Sequence, residues 1–494
     1  MTRHVRIAII GTGFAGLGMA IQLQRSGERD FVIIERAHEV GGTWRDNTYP
    51  GAACDIRTDL YSFSFAQNPE WTRRYGKQAE ILEYLKSTAK RFDLYPKILF
   101  GHELESADWQ ETDKRWQLRT SAETLTADVV VSGHGPLIDP AWPAITGLDT
   151  FAGPRFHSAR WDHAVELAGK RIAVIGTGAS AVQFVPELAK VAEHLSVFQR
   201  TPAWIVPRGD RPSSARKRRL FRTIPLLQRI SRAWIFRLAE ARFAAFAFRR
   251  IGAGMERLAT SFLEGQVADP ELRAKLTPDY RIGCKRILIS SNFYKAIVKP
   301  NVELVTSDIR SIEGNMIVTS DGERHEVDVL IGGTGFNATR PPIARLIHAG
   351  GRSLADAWSP HMAALHGTTV AGFPNLYVLV GPNTALGHNS IVYIIEAQVD
   401  YVLQALRFQE RVGAVSLEAR ADAQEQYNER IQRDLAGSVW TTGGCSSYYL
   451  DDGGRNTTLW PHRAALFRKS VARFDPRHYL IERAVPVRSE SRVG

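Results

Sequence analysis

An α/β fold with two Rossmann-like dinucleotide-binding units and a helical insertion is predicted by three observations. A strand–glycine-turn–helix unit opens the chain, a second begins near residue 170, and a strongly basic helical stretch follows it. The length of 494 residues, with 44% hydrophobic and 23% charged, suits a composite globular chain with ample core and not a disordered or collagenous one. No run of 18 apolar residues stands ready to span a bilayer. The start, MTRHVRIAIIGTGFAGLGMA, imitates a signal peptide, but its spaced glycines explain it better. Three scattered cysteines, Cys54, Cys284 and Cys445, make no disulfide framework and no C-x-x-C relay. They read as inert packing residues of a cytoplasmic protein. No His/Cys group has zinc spacing, so no metal is expected.

In the first unit VRIAII (5–10) is a short β-branched run without alternation, the mark of a buried parallel strand. GTGFAG follows, setting Gly11, Gly13 and Gly16 around Phe14 and Ala15, and a helix runs on to about Gly27. The first glycine makes the tight turn, the second lets backbone approach a pyrophosphate, and the third lets helix pack on strand. FVIIE then ends at Glu35, where a carboxylate can accept from a ribose diol.

The second unit repeats the order: KRIAVIG, then Gly176, Thr177, Gly178, Ala179, Ser180 and Ala181, a helix to about Lys190, and the strand LSVFQ. Alanine in the third glycine's place is tolerated. Glu35 lies 24 residues after Gly11, and the residue 24 after Gly176 is Arg200. A carboxylate suits a free 2′-hydroxyl and a guanidinium suits a 2′-phosphate. The first unit therefore reads as an FAD site and the second as an NADP site. VDVLIGGTGFNA (327–338) and LYVLVGPNT (376–384) return to the first unit. The expected division is 1–145 for the first part of the FAD domain, 146–335 for the NADP domain and 336–494 for the second part of the FAD domain.

At the junction stands FAGPRFHSARWD (151–162). It resembles the fingerprint F-x-G-x-x-x-H-x-x-x-W-[P/D] of type I Baeyer–Villiger monooxygenases, with Phe151, Gly153, His157, Trp161 and Asp162 in place. The sister monooxygenases that oxidise nitrogen and sulfur usually end this pattern in Tyr-Lys. GGTWRDNTYPGAACD (41–55), with Thr43, Trp44 and Asp55, is similar to a second family signature.

The resemblance implies FAD, NADPH and O2 acting on a ketone, through a flavin peroxide, to give an ester or lactone, with sulfoxidation as a side activity. It implies that Arg286 stabilises developing negative charge and that Asp55 positions it. Lys285, Arg200 and Thr201 fall at the NADP 2′-phosphate, and Tyr61 and Asn383 join the cofactor-binding set. His157 is expected to hold the inter-domain linker more than to act as acid or base. The stretch 440–461, with Trp440 and Tyr448, looks like the family's substrate-side segment. Tyr448 stands where Trp is common there, and Gly333 and Asn337 where Ala and Asp are common.

Residues 208–250 carry thirteen Lys/Arg against Asp210 and Glu240, which accounts for the whole net charge of +11. So local a surplus speaks against a nucleic-acid binder. Within the helical insertion expected over about 208–265, Leu227, Ile230, Trp234, Leu238, Ala241 and Ala245 recur at helical spacing. Packing over the NADP domain or the active-site entrance is the leading expectation. The alternatives are peripheral contact of 216–250 with an anionic membrane, or a partner or oligomer contact. Two functional rivals stay open: an N/S-oxygenating flavin monooxygenase, and a low-turnover redox-sensing or membrane-docking flavoprotein.

Overall fold

The computed structural model describes residues 2–483; residues 484–494 of the expected last division lie outside them. Two sheets carry the architecture. The first runs in the order Arg352–Ser353, Ile347–Ala349, Leu104–Gln110, Arg115–Thr120, Thr124–Ser132, Arg3–Ile10, Phe31–Glu35, Ile98–Phe100, and Leu376–Val378 also pairs with Thr124–Ser132. Strands from beyond residue 340 thus complete a sheet begun at residue 3. The second is all parallel: Val302–Val305, His194–Phe198, Arg171–Ile175, Val329–Gly332, Arg155–His157.

Both glycine turns are shaped by contact. Gly11 has φ +91°, and a Cβ on Gly16 would sit 1.9 Å from the Gly11 carbonyl oxygen, so the third glycine is a steric demand. The first helix runs Phe14–Arg25, starting at the glycine turn. In the second turn a buried Ala181 is admitted because it faces Gly333, where a Cβ would lie 3.3 Å from that of Ala181. Its helix spans Ala181–Leu188.

The basic stretch is helical over Ala215–Thr223, Pro225–Ala247 and Arg249–Glu264. Its last helix packs Leu263 into the core around the second sheet. The apolar row points outward, with Ile230 56%, Trp234 60% and Leu238 40% exposed; only Ala245 of the six is buried. The inward face mixes apolar Ile235, Ala239 and Phe246 with buried polar groups. Arg232 directs Nη1 at the carbonyls of Asp59 (2.9 Å), Leu60 (3.1 Å) and Ser62 (2.9 Å). Glu240 accepts from Asn389 Nδ2 (2.6 Å) and the Ala464 and Ala465 amides (3.1 Å each). These two buried charges are hydrogen-bonded, so they help seat the insertion beside its buried apolar residues. Among the described residues no helix is long and apolar enough to cross a membrane.

Candidate active site

The short strands Ile205–Val206 and Leu288–Ile289 pair in parallel, which lays the loop after the second sheet beside the CKR triplet. Lys285 lies there with its Nζ 5.2 Å from the centre of the Tyr280 ring, near enough to Arg200 to feel its charge. Burial first, then the charge of Arg200, lowers the Lys285 ammonium below its ordinary value. Asp279 acts on Lys285 in the opposite direction. Thr201 lies half-buried on the same loop.

Arg286 follows in the chain. Its Nε donates to Asp55 Oδ2 at 2.9 Å, and Nη2 reaches the same oxygen. The Asp55 charge is the main cause that raises Arg286 well above the usual guanidinium range, against the opposing effect of burial; Tyr448 and Tyr449 act in the same direction as Asp55. Both side chains remain about 30% exposed, so the guanidinium keeps donors free for a bound group. Asp55 is set by a packed loop: Cys54 N bonds Gly76 O at 2.9 Å, and Arg208 Nη2 bonds Cys54 O at 2.8 Å.

The residues around the first glycine turn form a cradle without side chains at its base. A Cβ on Gly42 would sit 3.1 Å from Gly13 Cα, so two glycine backbones line that approach. Thr43 and Trp44 begin a one-turn helix there; Trp44 Nε1 donates to Tyr61 OH at 3.1 Å, and Tyr61 packs edge-on against Phe14 with centroids 5.1 Å apart. Ala15 is buried in the helix that starts at Phe14. Glu35 is 4% exposed and accepts from Thr12 N (3.0 Å), Thr12 Oγ1 (2.5 Å), Ala37 N (2.9 Å) and Arg45 Nη1 (3.0 Å). Its lone pairs are taken, so a ribose would have to displace one of these donors.

On the other turn Gly176 has φ +102° and a Cβ there would meet the Gly333 oxygen at 2.6 Å. Thr177 is buried; Gly178 and Ala179 are exposed where a phosphate could reach them, and Ser180 is half-buried.

The junction motif edges the second sheet. Gly153 passes so close to Asp328 that a Cβ would lie 2.2 Å from its carbonyl oxygen. Phe151 joins a core cluster, and Trp161 packs on Phe156 and Phe184 at 5.1 and 5.5 Å. Asp162 accepts from Ala164 N at 2.9 Å. His157 is 2% exposed between Trp142 and Phe336; its Nδ1 accepts from Ala159 N at 3.1 Å, and Nε2 has no partner. Burial, then Arg160, lowers its pKa to about 4, so it is neutral at pH 7.

Tyr448 acts on Arg286, and other predicted residues make contacts of their own. Asn383 is 1% exposed and donates to the carbonyls of Asn456 (2.9 Å) and Leu459 (3.1 Å), which anchors the C-terminal segment. Trp440 is 2% exposed and stacks on Phe246 at 5.5 Å, whereas Tyr448 is 47% exposed beside Tyr449. Asn337 donates to Asp139 Oδ2 at 2.8 Å.

The cysteine reading needs correction. Cys284 and Cys445 are bonded, with Cα atoms 6.1 Å apart across 161 positions; Cys54 alone is free, and burial drives its thiol pKa up. Sequence spacing missed this because the fold, and not the chain, brings the two sulfurs together. Also missed was Gln183, which exchanges hydrogen bonds of 2.9 and 3.1 Å with the Ala53 backbone and so ties the second unit's helix to the Asp55 loop. Nothing in its sequence context marks it.

Residues 8–216 match the family model for pyridine nucleotide-disulphide oxidoreductases. A protein of Streptomyces coelicolor named Baeyer–Villiger monooxygenase is 48% identical, the match covering 98% of this chain and 94% of that one. Among solved structures, cyclohexanone monooxygenase from Rhodococcus sp. Phi1 bound to NADP+ superposes with a TM-score of 0.88 at 29% identity, covering 98% of this chain and all of the other. A complex of OTEMO with FAD and NADP gives 0.86 at 26% identity, covering 97% and 99%.

Proposed function

The chain belongs to the Baeyer–Villiger monooxygenases, and from that premise we propose how its own residues divide the work. It is an FAD- and NADPH-dependent enzyme that inserts one oxygen of O2 beside a ketone carbonyl. The flavin, once reduced, supplies the oxygen-activating chemistry. The paired Arg286 and Asp55 carry this reading. Negative charge develops on oxygen during such an insertion, and a guanidinium held in advance by a carboxylate stabilises it without reorganising. Asp55 takes one edge of the fork, which leaves the rest aimed at the reacting centre. Arg200 and Lys285 hold the NADPH 2′-phosphate, so its binding relieves their mutual repulsion. The glycine turns at 11–16 and 176–181 take the two pyrophosphates. His157, neutral and packed, holds the junction between the FAD residues (1–145 and 336–494) and the NADP residues (146–335).

The test is direct. FAD-loaded protein is given NADPH, air and cyclic, linear and aryl ketones, with products read by gas chromatography and hydrogen peroxide measured in parallel. Ester or lactone with one added oxygen supports the reading. NADPH loss with peroxide alone would turn it toward nitrogen or sulfur oxidation.

The outward row of the insertion supports a second property, contact with an anionic lipid surface. Leu226, Ile230, Trp234 and Leu238 fall four residues apart on one exposed helix face, and Arg222, Arg229, Arg237 and Arg242 stand exposed around them. Aromatic and aliphatic groups entering the headgroup boundary, with arginines at the phosphates, fit that arrangement.

A further inference from the structure

The bond between Cys284 and Cys445 joins two pieces of the proposed site. Cys284 lies two residues before Arg286, and Cys445 lies three before Tyr448, which bears on the Arg286 guanidinium together with Tyr449. The two segments also meet at Gly443: its carbonyl accepts from Arg281 N at 3.0 Å, and a Cβ there would lie 2.6–2.7 Å from Cβ and Sγ of Cys284. Beyond Gly443 the segment is thinly held, with Gly444, Ser446 and Tyr448 all exposed. Between the buried Gly443 and the buried Tyr449, the covalent tie is the anchor of residues 444–448 to the Arg286 loop. Cys284 is 1% exposed, but Cys445 is half-buried between exposed neighbours, so exchange can enter from its side.

We propose that Cys284 and Cys445 form a reversible thiol–disulfide site that latches the substrate-side segment over Arg286. This rests on Arg286 lying at the reacting centre. Closed, the latch keeps water from the site; reduced, it lets residues 444–448 lift. The closing oxidant is hydrogen peroxide, the product a leaking site of this kind releases. One thiolate sulfur attacks the peroxide O–O bond, forming a sulfenic acid and releasing water after protonation. The second thiol then forms the S–S bond and releases a second water. Two thiols thus give up two electrons, one peroxide becomes two waters, and a dithiol reductant reverses the change. A leak would in this way reseal itself.

The test counts thiols and measures segment mobility before it measures turnover. Holoenzyme treated with hydrogen peroxide, then denatured, should titrate one thiol of the three, and three after dithiothreitol. Hydrogen exchange across 444–448 should rise on reduction and in Cys445→Ser. The peroxide formed per NADPH should rise severalfold in the reduced enzyme, and dithiothreitol should no longer alter it in Cys445→Ser. Three thiols after peroxide treatment would overturn the site, and unchanged exchange at 444–448 would overturn the latch. Should no ketone yield ester in either state, the thiol count and the exchange still decide the proposal separately from the function.

Discussion

Arg286 and Asp55 meet across 231 positions of sequence, with the Arg286 Nε donating to one carboxylate oxygen at 2.9 Å. The first belongs to the loop beside the NADP residues and the second to the loop after the first unit's one-turn helix. The pair therefore exists only when the two halves are docked, and Gln183, bonded to the backbone of Ala53, sits at that same seam.

Arg286→Ala should leave FAD bound and flavin reduction by NADPH intact, while ester formation falls about 10²–10³-fold, as for removal of one preorganised donor. Stopped-flow absorbance separates the two steps. Ester formation near the parental rate would remove Arg286 from the reacting centre.

Arg200→Ala should raise KM for NADPH far more than for NADH, because only NADPH carries the 2′-phosphate that we propose sits against Arg200 and Lys285. Steady-state kinetics with both donors reads the difference. Equal losses would end the assignment.

The strand–glycine–helix units and the junction motif were readable in advance because each is local: strand, turn and helix lie within about 30 residues and obey fixed sterics. Even the odd pair fits, since alanine at 181 and glycine at 333 face each other. What sequence could not show depends on long-range docking. The Cys284–Cys445 bond spans 161 positions, and Gln183 bonds backbone 130 positions away. The insertion misled for another reason. Helical spacing identifies an apolar row but not which way it points. Here Arg232 and Glu240 bond to the body beside buried Ile235, Ala239 and Phe246, and the row with Trp234 is left outside.

Glu240→Ala should destabilise the protein by about 3 kcal/mol, the cost of breaking a buried, hydrogen-bonded charge. The mutation strips partners from Asn389 and from the amides of Ala464 and Ala465. Chemical denaturation at pH 7 measures it. A change below about 0.5 kcal/mol, the range of ordinary surface substitutions, would mean that the insertion is seated by other contacts.

Trp234→Glu should abolish sedimentation with phosphatidylglycerol vesicles at low salt while leaving secondary structure unchanged, since Trp234 is 60% exposed. Neutral phosphatidylcholine vesicles serve as the control. Parental protein that ignores both vesicle types would refute the lipid contact.

His157 makes stability depend on pH with a definite sign. Its folded pKa lies near 4, below the ordinary 6.5, so the unfolded chain takes up a proton first as pH falls. The contribution is complete above pH 6.5 and is lost as pH drops from there toward 4. The linkage amounts to a few kcal/mol at most. His366, also lowered to about 4 by burial, adds to the loss over the same window. His157→Gln keeps a side chain able to accept the Ala159 amide but cannot titrate. Its denaturation midpoint should therefore fall less than the parental one between pH 7 and pH 5. Parallel declines in the two proteins would show that folded His157 takes up its proton as readily as the unfolded chain does, and that its burial between Trp142 and Phe336 does not hold it neutral.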